Sequence, residues 1–397
     1  SPNIRRRKTQ MKKKFLAILM ALVMALSLAA CTTASGGGDN SSNEDSSGGG
    51  DTSAAGDADT SGGSETKDIK DIVVGVSIGT TTEERWNREI EMFRQYAADK
   101  GFDLLVQDAG NDTTKQVSQC ENLINQGIDV LICQPLDGEA AAPVVSAAHD
   151  AGIKVISYDR FIMNADLDYY ITFDTYTVGK VQAEMIVEQA PKGNYIWLLG
   201  APEDNNAHII EEAQTDVLQP LIDSGDIKIV TQQWCKGWSP TEALQHTENA
   251  LTTASNDVQG VVCSNDGTAG GAIQALAAQG LAGSVPIGGQ DADIAACQRI
   301  LEGTQYGTVY KPLAPLNQAA CELAVAIATG ADEKNGVDSS LGSWTTYNNN
   351  FKDVDAFNVA VEKITKDNLY DIVIKRDAFH TVEEVYANIP QDQWPAE

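Results

Sequence analysis

The stretch DIVVGVSIGTTTEERWNREIEMFRQYAADKGFDLLVQDAGNDTTKQVSQCENLINQGIDVLICQP, residues 71–135, decides the fold. It opens on a β-branched apolar run, IVVGVSI (72–78), and passes into a helical pattern, EERWNREIEMFRQYAADKG (83–101). The pair then repeats as DLLVQ (103–107), TTKQVSQCENLINQG (113–127) and DVLICQP (129–135). The apolar runs are near-continuous rather than alternating, which marks strands buried on both faces. The helical stretches close on Gly101 and Gly127, a residue that adopts the left-handed cap without a Cβ penalty. Strand, helix, strand in this order builds a parallel sheet with helices on both faces.

Outward from this stretch the alternation continues. Strand-like runs are IKVISYD (153–159), YYITFD (169–174), YIWLLG (195–200), IKIVTQQW (227–234), VQGVVCS (258–264), VPIGG (285–289) and GTVYKP (307–312). Helical stretches at 138–152, 178–190 and 268–280 lie between them, two of them ending in Gly152 and Gly280. Two series emerge, about 70–175 and 178–310, each sufficient for one doubly wound lobe. A helix LAPLNQAACELAVAIATG (313–330) and a strand-like DAFNVAVEKI (355–364) follow. The roughly 330 residues after Lys70 are too many for one core and suit two α/β lobes.

The segment before the domain has a different character. MKKKFLAILMALVMALSLAAC (11–31) sets Lys12, Lys13 and Lys14 ahead of an apolar run from Phe15 to Ala30. A charged start, an apolar middle and small residues before a cut describe a secretory signal within residues 1–30, and the ten residues before Met11, an upstream start or a foreign remnant, carry no fold information. The run is short for a membrane span, which needs roughly 20 residues. Leu28-Ala29-Ala30-Cys31 resembles the lipobox of bacterial lipoproteins, which implies cleavage before Cys31 and a lipid on its thiol. The domain is then expected outside the cytoplasmic membrane on a lipid anchor. From Thr32 to about Asp68 the chain is almost wholly Ser, Gly, Thr, Ala, Asp, Asn and Glu. Such a composition cannot offset its ordering entropy, so 31–69 reads as a disordered acidic spacer.

Charge excludes one partner class. The formal charge is −28, yet residues 1–30 hold seven Lys/Arg and no Asp/Glu, so the part from Cys31 on carries −35. A chain this acidic repels phosphate backbones, and nucleic acid is not expected as a partner. The six cysteines beyond Cys31 (Cys120, Cys133, Cys235, Cys263, Cys297 and Cys321) show no C-x-x-C pair and sit mostly in apolar segments. They read as buried thiols rather than as a zinc site. The histidines are scattered, and no D-x-[DN]-x-[DN]-G loop occurs, so neither metal nor cofactor is expected.

In open α/β sheets ligands bind beyond the carboxyl ends of the strands. Reading off those segments yields Arg85-Trp86, Asp159-Arg160, Asp204-Asn205-Asn206, Gly237-Trp238, Asn265-Asp266, Gln290-Asp291 and Lys311. This set has no Ser/Cys–His pair and no Gly-rich phosphate loop. It suits a neutral polyol: carboxylates accept from hydroxyls, Arg and Lys donate to hydroxyl and ring oxygens, and Asn does both. An indole can lie against the C–H face of a pyranose. Taken singly, each residue has a second reading, since Asp and Asn at strand ends also cap the next helix and a Trp on an early helical face also serves a core.

These segments resemble the pentose/hexose-binding group of type I periplasmic binding proteins, and within it the D-xylose binders of bacterial ABC transporters. The resemblance covers nearly all of 70–380. It is carried by ERWNREIEMF (84–93), VSQCENLINQGIDVLI (117–132), GIKVISYDRFIMNADLDYYITFD (152–174), GAPEDNNA (200–207), QWCKGWSP (233–240), SNDGTAGGAIQALAAQGLAG (264–283), GQDAD (289–293) and GTQYGTVYKP (303–312). It implies two Rossmann-like lobes joined by three crossovers, 70–176 with 313–345 in the first and 177–312 with 346–397 in the second. It also implies a sugar held between them by Arg85, Asp159, Arg160, Asp204, Asn206, Trp238, Asn265, Asp291 and Lys311, to which the strand-end reading adds Trp86. The segment GTTTE (79–83) departs from the pattern of xylose binders, and 335–355, rich in Asn, Ser and Gly, matches poorly.

The resemblance implies a monomeric binding protein that captures a monosaccharide, D-xylose first and D-glucose second, for an ABC transporter permease. A sugar sensor feeding a membrane kinase or chemoreceptor would use the same closed surface. An enzyme is disfavoured, because the carboxylates are matched by Arg, Lys and Asn that keep them ionised. A transcription regulator would need a basic DNA-binding domain where this chain has a signal and an acidic spacer.

Overall fold

Two mainly parallel sheets organise the chain in the computed structural model, which describes residues 67–395. The signal segment, Cys31 and the spacer up to residue 66 lie outside the described residues. The first sheet starts with β1 (Val73–Ile78), β2 (Asp103–Asp108), β3 (Val130–Gln134), β4 (Lys154–Tyr158) and β5 (Tyr169–Phe173). Two late strands, β11 (Ser343–Asn348) and β12 (Asp353–Val359), complete it in the order β11-β12-β5-β4-β3-β1-β2. Every neighbouring pair is parallel except the β11/β12 hairpin. The central strands carry the unbroken apolar runs, and all five residues of β3 are buried.

The second sheet holds β6 (Gly193–Leu199), β7 (Ile227–Trp234), β8 (Gly260–Cys263), β9 (Gly288–Gln290), β10 (Gly307–Tyr310) and β13 (Glu362–Thr365). β7-β6-β8 and β9-β10 pair in parallel, a Val261–Ile287 bridge links the two groups, and β13 closes the edge antiparallel to β10. The helices between strands are α1 (Glu84–Lys100), α2 (Thr113–Asn125), α3 (Ala142–Asp150), α4 (Thr175–Gln189), α5 (Asn205–Asp223), α6 (Pro240–Thr253), α7 (Asp266–Ala278), α8 (Ile294–Glu302) and α9 (Leu313–Thr329). Gly101, Gly127, Gly152 and Gly280 all take positive φ where their helices end. The type I periplasmic binding protein architecture is therefore present, two doubly wound lobes with three chain passages between them.

Those passages lie between β5 and α4, between β10 and α9, and between β12 and β13. The last corrects the expected boundary at 345/346. The strand-like run 355–364 is two strands: β12 lies parallel to β5 in the first lobe, and after residues 360–361 β13 joins the second. β11 lies inside the segment that matched the family poorly. Its sequence SWTTYN is an exposed edge strand anchored by Trp344 against Phe357, with ring centroids 5.3 Å apart. Helix α9 returns to the first lobe, burying Leu313, Leu316 and Leu323 with the β1 and α1 core.

The second lobe is knit by α4 against α5. Gly179 makes this contact close, since a Cβ there would come within 2.5 Å of the Ile210 carbonyl oxygen. The six cysteines of the described part are free and buried. Among the described residues no helix is long and apolar enough to cross a membrane.

Candidate functional site

A narrow cavity, ≈ 30 Å³ of water-accessible volume, lies where the carboxyl ends of the two sheets meet, and all ten residues expected at the site line it. The local fold explains each position. Arg85 and Trp86 occupy the first turn of α1, and Asp159 and Arg160 follow β4. Asp204 caps α5 and Asn265 caps α7, while Trp238 ends a short 3-10 turn over 236–238. Asp291 directly follows β9 and Lys311 directly follows β10.

These side chains form a buried ionic lattice. Arg85 Nε lies 2.7 Å from Glu89 Oε1, and its Nη2 lies 2.8 Å from Asp159 Oδ2. Across the cleft its Nη1 lies 3.7 Å from Asp291 Oδ1, which Lys311 Nζ approaches to 2.8 Å. A second chain of charges runs from Glu83 through Arg160 to Asp204, at 3.3 Å and 2.8 Å. Trp238 Nε1 donates to Asp204 Oδ2 at 3.2 Å, and Asn206 Nδ2 donates to the Asp159 carbonyl at 2.8 Å. The two lobes thus touch through Arg85 and Asp291, Arg160 and Asp204, and Asn206 with Asp159 and Tyr170.

Burial and pairing compete at each carboxylate. Burial pushes Glu89 above the usual range despite Arg85, and it pushes Asp204 up despite Arg160. Burial acts the same way on Asp159, but Arg85, Lys311 and Arg160 together outweigh it and hold this carboxyl below the usual range. Asp159 is therefore an acceptor fixed in its ionised form. Both arginines are held cationic: burial opposes the charge, and the surrounding carboxylates overcome it.

Two buried atoms in this lattice have no hydrogen-bond partner, Arg85 Nη2 and Asp291 Oδ1. Each sits at ion-pair distance from a charge but out of line for a hydrogen bond. One is a donor and one an acceptor, which is what a hydroxyl group can satisfy. Backbone strain concentrates here as well: Asp159, Trp238 and Asp291 adopt φ values of 60°, 56° and 100°. Non-glycine residues rarely enter this region, and strain of this sort gathers at ligand sites.

Both readings of the capping residues hold at once. Asn265 Oδ1 accepts from the Thr268 amide at 2.9 Å and from its hydroxyl at 2.6 Å, so only its Nδ2 remains for a ligand. Asp204 Oδ1 accepts from the Asn206 amide at 3.0 Å, while its other oxygen serves Arg160 and Trp238. Trp238 also packs with Val178, Ala201, Ala207 and Ile210, and Trp86 belongs to the core of the first lobe.

The strand-end reading missed Glu83, Glu89 and Phe173, and Gln290, which it did pick out, was not among the ten residues expected to hold the sugar. Glu83, Phe173 and Gln290 line the cavity. Phe173 lies 5.5 Å from the Arg85 guanidinium and 5.4 Å from the Lys311 ammonium, an apolar wall under two cations. Glu89 lies below the cavity and is fully buried; its place one turn after Arg85 was the available signal. Among the described residues no cluster of His, Cys, Asp and Glu could hold a metal.

Fold and cleft together define a two-lobed binding protein of the periplasmic kind. The chain belongs to the periplasmic binding protein domain family, whose pattern matches residues 74–332. It is 47% identical over 317 residues to a D-xylose-binding periplasmic protein of Haemophilus influenzae, and 45% identical over 316 residues to one of Escherichia coli. Each alignment covers 80% of this chain and 93% of the relative. Among solved structures, a carbohydrate transporter solute-binding protein from Chloroflexus aurantiacus in complex with D-glucose superposes with a TM-score of 0.73 at 33% identity. That match covers 79% of this chain and 98% of the other.

Proposed function

We propose that this chain is an extracytoplasmic solute-binding protein that captures one monosaccharide, D-xylose, by closure of its two lobes and delivers it to the permease of an ABC transporter. The observation that carries the reading is the cleft itself: charged groups from both lobes, one unpartnered donor and one unpartnered acceptor, and the aromatic walls of Trp86, Phe173 and Trp238. In this reading Arg85, Asp159, Arg160, Asp204, Asn206, Asn265, Asp291 and Lys311 bind hydroxyl and ring oxygens. Trp238 offers the apolar face against which sugar C–H bonds pack. The names of the Haemophilus and Escherichia relatives support D-xylose. A lipid on Cys31 would tether the domain to the membrane, supported by the Leu-Ala-Ala-Cys sequence at 28–31.

A second reading, D-glucose alone or beside xylose, is favoured by the D-glucose complex of the Chloroflexus neighbour. The two sugars differ by one hydroxymethyl group. A thermal-shift panel of D-xylose, D-glucose, D-galactose, D-ribose and L-arabinose separates the readings. The largest stabilisation is expected with D-xylose; a larger shift with D-glucose overturns the xylose assignment, and no shift with any sugar overturns the function.

A further inference from the structure

We propose that Asp266 is the positioning residue for Asp291: its buried carboxylate holds the turn 291–293 in the conformation that presents Asp291 to the cleft. The proposal rests on the reading of Asp291 as a sugar ligand. Asp266 itself is 1% exposed and does not line the cleft.

The turn is strained. Asp291 and Ala292 stand side by side at φ values of 100° and 55°, both in the region that side-chain-bearing residues avoid. Such a conformation persists only where its surroundings over-determine it. Its polar backbone groups account for how. The Asp291 amide donates to the Val309 carbonyl at 2.9 Å, and the Ala292 carbonyl accepts from His380 Nε2 at 2.7 Å. The Ala292 amide donates to Thr308 Oγ1 at 3.4 Å, and the Asp293 amide donates to Asp266 Oδ2 at 3.1 Å.

Asp266 controls the last two contacts. The Thr308 hydroxyl donates to Asp266 Oδ2 at 2.9 Å, which commits its one proton and turns a lone pair toward the Ala292 amide. The other carboxylate oxygen accepts from Gln305 Nε2 at 2.8 Å. Arg299 secures the assembly, with Nη2 on the Asp266 carbonyl at 2.9 Å and Nε on Gln305 Oε1 at 3.0 Å. The strand leading into the turn leaves no slack, because a Cβ on Gly289 would stand 2.2 Å from Asp266 Oδ1. A plain helix-start role does not explain this set. Asn265 already caps α7, and the Asp266 oxygens reach residues 293, 305 and 308 instead of the amides of their own helix.

A double-mutant cycle read by D-xylose calorimetry at pH 8, where the Asp266 carboxyl is ionised, tests the proposal. Asp266→Asn keeps the shape but replaces one acceptor oxygen with a donor, so the three donors cannot all be met. Roughly tenfold weaker binding is expected, the scale of one lost buried partner. In an Asp291→Asn background, which keeps one acceptor at the site, the same change should alter affinity less than twofold. An equal loss in both backgrounds marks Asp266 as merely structural and overturns the proposal. Thr308→Val, which removes only the relaying hydroxyl, should weaken xylose binding in the same non-additive way. It carries the test should Asp266→Asn fail to fold, and unchanged affinity in Thr308→Val then overturns the proposal. Parent-like binding in Asp291→Asn and Asp291→Ala overturns the ligand reading of Asp291 and this proposal with it. Weak binding there with parent-like Asp266→Asn overturns this proposal alone.

Discussion

Arg160 Nε of the first lobe stands 2.8 Å from Asp204 Oδ2 of the second, with both side chains almost fully buried. A pair this buried gains only if both charges leave water together, since breaking it strands a desolvated ion. With Asn206 on the Asp159 carbonyl and Tyr170 on Asn206 Oδ1 at 3.0 Å, it describes a closed cleft. Opening would let water solvate each of these groups separately, so a bridging ligand is what shifts the balance toward closure. Solution scattering should therefore show compaction when D-xylose is added. Identical curves, with binding established separately, contradict the clamp.

Asn265 separates capping from ligand binding within one side chain. Asn265→Ala loses the cap and should cost about 1 kcal/mol of stability by denaturant titration. The capping box that Asn265 forms with Thr268 is the reason. Asn265→Asp keeps the acceptor for the Thr268 amide but removes the Nδ2 donor, so stability should hold while sugar affinity falls about tenfold or more. Parent-like affinity in Asn265→Asp would reduce this residue to a cap.

Trp238 combines wall and core. Its neighbours Val178, Ala201, Ala207 and Ile210 all belong to the second lobe, so opening the cleft does not release it. Trp238→Ala should thus weaken sugar binding and also destabilise the sugar-free protein by about 3 kcal/mol. Gly200→Ala probes the same contact from behind, because the new Cβ would meet Trp238 Cη2 at 2.3 Å. It should lower both melting temperature and affinity, and a change in neither contradicts the packing.

Burial pushes the Asp266 carboxyl up to about 7, outweighing the opposing pull of Arg299. A raised value means the folded state holds this proton more tightly than the unfolded one. The stabilisation is complete below the unfolded value of 3.8 and is lost as pH rises through about 7. Relative to Asp266→Asn, which does not titrate, the parent should therefore lose on the order of 2 kcal/mol between pH 5 and pH 8. Urea denaturation at both values measures it. A constant difference, or one that grows with pH, contradicts the assignment.

Much of this was legible in the chain because parallel α/β folds place function at strand ends, where sequence punctuation is strong. Asp159, Asn265, Asp291 and Lys311 stand within two residues of the end of a strand and Asp204 five residues beyond one, and all five line the cavity. Glu83 and Phe173 were not legible, because one precedes a helix and the other ends a strand as an ordinary apolar residue. Nor does local pattern show sheet membership. DAFNVAVEKI reads as one strand, yet tertiary pairing divides it between lobes at residues 360–361. Edge strand β11 has too little buried surface to leave an alternating signal, with four of its six residues exposed.

The central claim is that one monosaccharide binds between the lobes through the Arg85–Asp291 lattice. Isothermal titration of D-xylose into the parent and into Asp291→Ala tests it most directly. The account predicts saturable binding at one sugar per chain in the parent, weakened ten- to hundredfold or more in the variant, the scale of one to two lost buried partners. Absence of binding to the parent, or equal affinity in both proteins, would contradict it.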